Sequence, residues 1–260
     1  MSGIIGIASR RNALPSVLQG LQHLAQNGHQ HCGLVVHGRQ GPTPCPPRLH
    51  RHRRAQGVEA WLQHLRTPGH APGPSEQNAS WHGLNGLEGA LALGHIGLGG
   101  ETGPHALQQA MPQLSHGPNA HLNSPARVAV VVDGPLQATD GLREALRERE
   151  YGFKSDSVAE LLAHLIDATC QNDPVQALHR SLGLLQGPVA LGVLFHDQPG
   201  RMFAIQRGAR LHAAASPDLL AWASHSAALP AGLTPLPAWP EGQVLDIQAD
   251  TDGVTHRVHG

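Results

Sequence analysis

The spacing of apolar positions along the chain predicts strands first, then helices, then strands again. Short runs rich in Val, Ile, Leu and Ala are typical of buried strands, whereas apolar residues recurring every three or four positions predict amphipathic helices. The predicted strands cover residues 3–8, 33–37, 88–98, 127–132, 189–196, 201–206, 210–215, 220–224 and 243–248. The predicted helices cover residues 14–26, 57–66, 139–150, 157–171 and 174–185. Because strands and helices do not alternate regularly, this order favours a layered α+β fold over a doubly wound parallel sheet.

The stretch from about residue 41 to residue 87 differs from its surroundings in composition. It is rich in Pro, Gly, His and Arg, and apart from the short helix at 57–66 its pattern is that of a long loop. A loop of this length is uncommon inside a compact domain. We therefore interpret it as an excursion from a single domain that spans residues 1–260, and we expect a second loop over 113–126.

Composition and charge argue against several classes of protein. The 260-residue chain carries 18 Lys and Arg against 19 Asp and Glu, so nucleic acid and anionic membrane surfaces are not expected as its main partners. Its 3 Cys include no CxxC pair, which argues against a disulfide framework and a cysteine zinc site. No apolar run approaches the roughly 18 to 20 residues of a membrane span. Arg10 and Arg11 follow the first apolar run instead of preceding it as in a signal peptide, so we expect a cytoplasmic protein.

Several short segments, taken in order, carry a family resemblance. They are MSGIIG at 1–6, NGHQHCG at 27–33, GHIGL at 94–98, VVVDG at 130–134, AHL at 163–165 and AS at 223–224. Together they resemble the class II glutamine amidotransferase domain, the N-terminal-nucleophile (Ntn) glutaminase found in amidophosphoribosyltransferase and glucosamine-6-phosphate synthase. The resemblance covers about residues 2–250. It implies an Ntn-hydrolase four-layer αββα sandwich, in agreement with the strand–helix–strand order.

The resemblance places Ser2 at the nucleophile position, where the family has a cysteine whose own α-amine acts as general base. Removal of Met1 before a small residue is expected, and it would make Ser2 the N-terminus. A serine hydroxyl is far less acidic than a thiol, so Ser2 is the poorer nucleophile. The site is either that of a slow or altered hydrolase, or an inactive site in which Ser2 is only a small residue at a strand start. We favour the second interpretation.

The resemblance also implies a degenerate glutamine pocket. Gly97 stands where the family has the Arg that holds the glutamine α-carboxylate, and glycine has no side chain for this contact. Leu98 replaces the aromatic residue that follows that Arg. The Asp that holds the glutamine ammonium group corresponds either to Asp156 or, if the AHL segment at 163–165 is aligned, to Val158.

Asp133 and Gly134 take the oxyanion-hole positions, where the family has Asn-Gly. The Gly134 N–H can still donate, but an ionised Asp133 only accepts and would repel the negative charge that develops during attack. Loss of one oxyanion donor costs roughly 2.7–4 kcal/mol of transition-state stabilisation in a known case. A carboxylate in that place is expected to do worse.

Nucleophile, carboxylate clamp and oxyanion donor therefore all depart from the family pattern, and we hypothesise a pseudo-glutaminase without cofactor or metal. Its expected role is that of a binding or structural subunit of an enzyme complex. The expected partner is a separate synthase or other protein subunit, and a glutamine-like molecule is the candidate ligand. The alternative is an active Ntn amidohydrolase, or glutaminase, that uses N-terminal Ser2 and supplies ammonia to a separate synthase.

Histidines and arginines outside these motifs have simpler interpretations. The pairs His29/His31 and His50/His52 lack HExxH spacing and a suitably placed carboxylate, so solvated histidines are favoured over a metal site. The Arg-rich segment at 48–54 could bind phosphate or an acidic partner, but a solvated loop is the favoured interpretation.

Two residues that are expected to be buried, Cys32 and His164, are predicted to have structural roles. Cys32 corresponds to a small buried position of the family, and His164 lies in the middle of a predicted helix, where packing is the simpler role. Neither is expected to take part in chemistry.

Overall fold

The computed structural model describes the chain in several ranges. The described residues are 2–25, 31–40, 46–54, 58–59, 87–97, 108–121 and 123–260. Within them the strands are β1 (Gly3–Ser9), β2 (His31–Gln40), β3 (Arg48–Arg54), β4 (Leu87–Gly97), β5 (Gln113–Ser115), β6 (Val128–Asp133), β7 (Gln137–Ala138), β8 (Leu185–Gln186), β9 (Val189–Phe195), β10 (Arg201–Arg207), β11 (His212–Ser216), β12 (Leu219–Ala223), β13 (Thr234–Pro235), β14 (Val244–Ala249) and β15 (Val254–His259). The α-helices that lie wholly within these ranges are α1 (Leu14–Leu24), α2 (Leu142–Glu148), α3 (Val158–Thr169) and α4 (Pro174–Gly183).

Two antiparallel sheets form the centre of the fold. In sheet A the strand order is β13-β11-β12-β1-β4-β2-β3, and in sheet B it is β15-β14-β10-β9-β6-β5. Helix α1 packs against the outer face of sheet A, while α3 and α4 pack against the outer face of sheet B. A third group of buried side chains fills the space between the sheets. This order of layers confirms the α+β αββα sandwich expected from the sequence.

The central strands are buried on both faces, which explains their unbroken apolar sequences. On β6, Val128, Val130 and Val132 pack under α3 and α4, whereas Ala129 and Val131 face sheet A. All seven residues of β1 are likewise buried. A strand covered on both sides shows no apolar–polar alternation, so a short apolar run predicted it correctly.

The edge strands β3 and β5 depart from the prediction. β3 lies inside the excursion at 41–87 and β5 begins the loop predicted over 113–126, so both loop predictions are wrong at these residues. β3 has the sequence RLHRHRR, in which only Leu49 is fully buried, and β5 has only 3 residues. Neither pattern contains an apolar periodicity long enough to recognise. The helix predicted at 57–66 lies outside the described residues except for 58–59.

Trp222 of β12 fills the space between the sheets where two backbones come close. Its ring lies over Gly6 of the neighbouring strand β1 and against Gly192 of β9 in the other sheet. A Cβ atom at either glycine would lie 2.2 Å from a ring atom of Trp222. The indole N–H donates to the Sδ atom of Met202 at 3.2 Å, so the ring is also fixed in orientation. Glycine is therefore required on both sides of this ring.

Replacing Gly192 with alanine should test this packing. We expect Gly192→Ala to lower the free energy of unfolding by roughly 1–3 kcal/mol, because the added methyl overpacks the core. Gly183→Ala at the end of α4 is the matched control, since its Cβ would meet nothing within 4 Å. Urea denaturation of both variants measures the difference. Equal stabilities would contradict the close approach of Trp222 to β9.

Candidate active site

Ser2 and Asp133 meet although 131 positions separate them in the sequence. Ser2 precedes β1 of sheet A, and Asp133 is the last residue of β6 in sheet B. The Ser2 hydroxyl donates to Asp133 Oδ1 at 2.6 Å. A hydroxyl has one proton, so this contact commits it to the carboxylate. The structure thus brings the predicted nucleophile and the predicted oxyanion position together.

The beginning of β1 is held in place by the residues that follow β12. The Ile4 N–H donates to Ser224 Oγ at 3.0 Å, and the Ser224 N–H donates to the Ile4 carbonyl at 3.0 Å. The Nε2 atom of His225 lies 3.3 Å from the Ser2 carbonyl oxygen and donates to it. Ser224, the second residue of the AS motif at 223–224, therefore has a structural role, because it fixes the beginning of the strand that follows Ser2.

Gly134 follows Asp133 with a backbone conformation that favours glycine. Its φ is +130°, and a Cβ atom there would lie 2.4 Å from the backbone oxygen of Pro188. Both the torsion and the close approach exclude a side chain at this position. Gly134 thus stands, with a conformation that requires glycine, at the position that the resemblance assigns to the glycine of the oxyanion hole.

Gly97 lies beside Ser2, because the β1–β4 register pairs Gly3 with Ile96. The space that a side chain at Gly97 would need is taken by His31, since a Cβ there would lie 2.1 Å from the His31 Nε2 atom. The His31 ring stacks on His95 with 5.6 Å between ring centroids. The position where the resemblance implies loss of the carboxylate-binding Arg is thus also the position where the His31 imidazole fills the space of a side chain.

Two further predicted pocket residues are less informative. Leu98 lies outside the described residues. Asp156 is exposed in the segment before α3, while Val158 begins that helix and packs against the core under sheet B. Among the described contacts, neither Asp156 nor Val158 contacts Ser2 or Asp133. The contacts therefore do not choose between them for the position that holds the glutamine ammonium group.

His31 is the site residue that sequence reasoning missed. In the sequence it belongs to the motif at 27–33 and to the pair His29/His31, and neither assigns it to the glutamine pocket; His29 lies outside the described residues. Its position over Gly97 depends on the pairing of β2 with β4, which places the two residues opposite each other. The sequence carries no local signal for that contact.

The described residues give no sign of a metal site or a membrane span. They contain no group of three or more His, Cys, Asp or Glu arranged to hold a metal ion. No helix in these ranges is long and apolar enough to cross a membrane. Cys32 is buried, and burial raises the pKa of its thiol to about 12, so it stays protonated and unreactive at neutral pH.

Comparison with known sequences points to one kind of enzyme. No protein-family model matches the chain. The glutamine–fructose-6-phosphate aminotransferase (isomerizing) of Bordetella pertussis is 25% identical over 248 residues, covering 95% of this chain and 36% of the relative. The enzyme of the same name from Pseudomonas aeruginosa is 29% identical over 214 residues, covering 81% of this chain and 30% of the relative. The chain thus spans about a third of the length of the curated relatives it matches.

Two solved structures share the fold. The glutamine phosphoribosylpyrophosphate amidotransferase of B. subtilis, complexed with ADP and GMP, has a TM-score of 0.70 at 21% identity and covers 98% of this chain and 48% of its own. The allosteric regulatory enzyme of purine biosynthesis has a TM-score of 0.68 at 22% identity with the same coverage of both chains. At these identities the likeness establishes the fold alone.

The fold is that of an Ntn-hydrolase sandwich, and in it the beginning of a central strand of one sheet meets the end of a central strand of the other. Within that class the chain is a divergent homologue of class II glutamine amidotransferase domains. The resemblance stated from its motifs is thereby confirmed.

The Gly134 conformation can be tested by substitution. We expect Gly134→Ala to lower the free energy of unfolding by roughly 2–4 kcal/mol, because a new Cβ meets a backbone oxygen while φ stays positive. Gly141 is the control: its φ is +83°, but its Cβ would meet nothing within 4 Å. Gly141→Ala should cost only the torsional strain, roughly 1–2 kcal/mol. Denaturant unfolding of both variants separates the two effects, and an equal loss would argue against the close approach to Pro188.

Proposed function

We propose that this chain is a class II glutamine amidotransferase-like domain that lacks glutaminase activity and acts as a binding or structural subunit of an enzyme complex. The proposal is carried by the 2.6 Å hydrogen bond from the Ser2 hydroxyl to Asp133 Oδ1. A separate synthase or other protein subunit is the proposed partner, and a glutamine-like molecule is the proposed ligand.

The carboxylate of Asp133 is unfavourable for attack on an amide. The oxyanion of the tetrahedral intermediate needs a donor at this place, and an ionised carboxylate supplies none. Two negative charges about 4 Å apart repel by about 4 kcal/mol at the effective dielectric of a protein surface. A penalty of that size alone slows the chemical step by about a thousandfold.

The binding of glutamine is weakened independently. With glycine at 97, no guanidinium holds the substrate α-carboxylate at that position, and the His31 ring occupies the adjoining space. A charge-assisted Arg–carboxylate contact is among the stronger polar contacts in proteins, so its loss raises the glutamine concentration needed for turnover. Chemistry and binding are therefore impaired by different residues.

The second candidate function is hydrolysis by N-terminal Ser2, with release of ammonia to a separate synthase. It is favoured by the same short hydrogen bond, because the carboxylate lies where it could accept the hydroxyl proton. Against it stands the large difference in acidity between a serine hydroxyl and a carboxylic acid. This route would require the α-amine of Ser2 as the effective base.

Glutamate release from glutamine separates the two functions. We expect no release by the unaltered chain above that of Ser2→Ala, measured on protein whose N-terminus has been established by intact mass. Asp133→Asn alone should also stay at background, because the serine and the missing clamp remain. Glutamate release that disappears in Ser2→Ala would overturn the proposal and establish the hydrolase.

A double variant measures how much of the proposed loss of glutaminase activity is caused by Ser2 and Asp133. In Ser2→Cys/Asp133→Asn the family's nucleophile and oxyanion donor are both present, whereas Gly97 and His31 are unchanged. We expect activity only at glutamine concentrations far above those that saturate an intact clamp. Turnover at low glutamine concentration would contradict the role assigned to Gly97 and His31.

A further inference from the structure

A cavity of about 600 Å³ lies where the edge strands of the two sheets face each other. β3 contributes Arg51 and Arg53, and the segment from Gln113 of β5 to His121 forms another part of the wall. The residues before α3 and the first turns of that helix line it as well. Ser2, Asp133 and Gly97 are not among the described residues that line it, so the cavity is separate from the candidate active site.

The two arginines lie on the same face of β3, because they are two positions apart on a strand. Arg53 donates to the Ala110 carbonyl at 2.8 Å, which ties β3 to the segment before β5. Arg51 makes only a long contact of 3.4 Å to the Pro112 carbonyl. Within the described residues no carboxylate lies at ion-pair distance from Arg51. Arg51 is thus a half-buried cation whose charge no ion pair among the described residues offsets.

The buried carboxylate of the cavity is already engaged. Glu160 of α3 is only 3% exposed, and its two oxygens accept from the Lys154 N–H at 2.8 Å and from the N–H and hydroxyl of Ser155 at 2.7 Å each. The bond from its N–H fixes the backbone of Lys154, an exposed residue, at the cavity. Glu160 thus spends its described hydrogen bonds on Lys154 and Ser155 and not on Arg51.

Burial makes the charge on Arg51 costly. Desolvation, and to a smaller degree the positive charge of Arg53, lowers the pKa of Arg51 to about 10, while Glu160 opposes the shift. The guanidinium remains protonated at neutral pH, so an anion placed beside it would offset the cost of burying the charge. The remaining wall includes the apolar side chains of Leu114 and Phe153.

We propose that this cavity binds a small organic anion through a phosphate or carboxylate group held by Arg51, with Lys154 as the second cation. A guanidinium presents paired N–H donors that match both anions. The volume lies in the range of small-molecule sites, about 300–1,000 Å³, and exceeds what a bare phosphate ion fills. The apolar part of the wall would contact the carbon skeleton of the ligand.

Calorimetric titration at constant ionic strength tests the site, with inorganic phosphate, citrate, glucose 6-phosphate and glucose as probes. We expect saturable binding of an organic anion to the unaltered chain and none of glucose. Arg51→Gln should weaken that binding about tenfold or more, because it removes a charge-assisted contact. Arg48→Gln is the matched control, since it removes the same charge from an exposed position on the same strand and should change the affinity less than twofold.

Lys154→Gln provides a second measurement should Arg51→Gln fail to fold, as thermal unfolding would reveal. This exposed substitution should weaken binding severalfold. The proposal is overturned if citrate and glucose 6-phosphate both fail to bind saturably, or if glucose binds as well as glucose 6-phosphate. It is equally overturned if Arg48→Gln weakens binding as much as the cavity variants, since the attraction would then be diffuse. None of these residues belongs to the Ser2–Asp133 site, so the result is independent of the glutaminase assay.

Discussion

The separation of the two sheets is the constraint on which the candidate site depends. Packed sheets stand about 10 Å apart, a distance held by the side chains between them. Here Trp222 occupies that space and lies against glycine on both sides. Ser2 belongs to one sheet and Asp133 to the other, so their 2.6 Å hydrogen bond requires this packing. Substitutions in the layer between the sheets would disturb the site without touching either residue.

The sequence was sufficient for the strands that build the centre of the fold. β1, β6 and β9 were predicted to within one residue at each end, because burial on both faces leaves an unbroken apolar run. The edge strands could not be predicted in this way. β3 pairs with only one neighbour among the described strands and carries arginine or histidine at six of its seven positions, so its structure comes from pairing with β2 and not from its own pattern.

The site shows the same division between local and long-range information. Ser2, Asp133 and Gly134 were identified from short motifs, because Ser2 directly precedes one recognisable strand and Asp133 and Gly134 end and follow another. That Ser2 and Asp133 form a hydrogen bond, or that His31 lies over Gly97, follows only from how distant strands pair and how the sheets pack. The prediction that the Arg-rich segment at 48–54 is a solvated loop is also wrong. The segment pairs with β2, and this pairing places Arg51 and Arg53 at a cavity.

The position of β1 within its sheet has a consequence for the order in which the molecule is assembled. β1 pairs with β4 on one side and with β12 on the other, where Ile5 lies opposite Ala223. During synthesis β1 must therefore wait until β12 has been made before its second edge is covered. Pairings between such distant parts of a chain fold slowly. Ser2 reaches its final surroundings only after Ser224 has been translated, so the candidate site is completed late in folding.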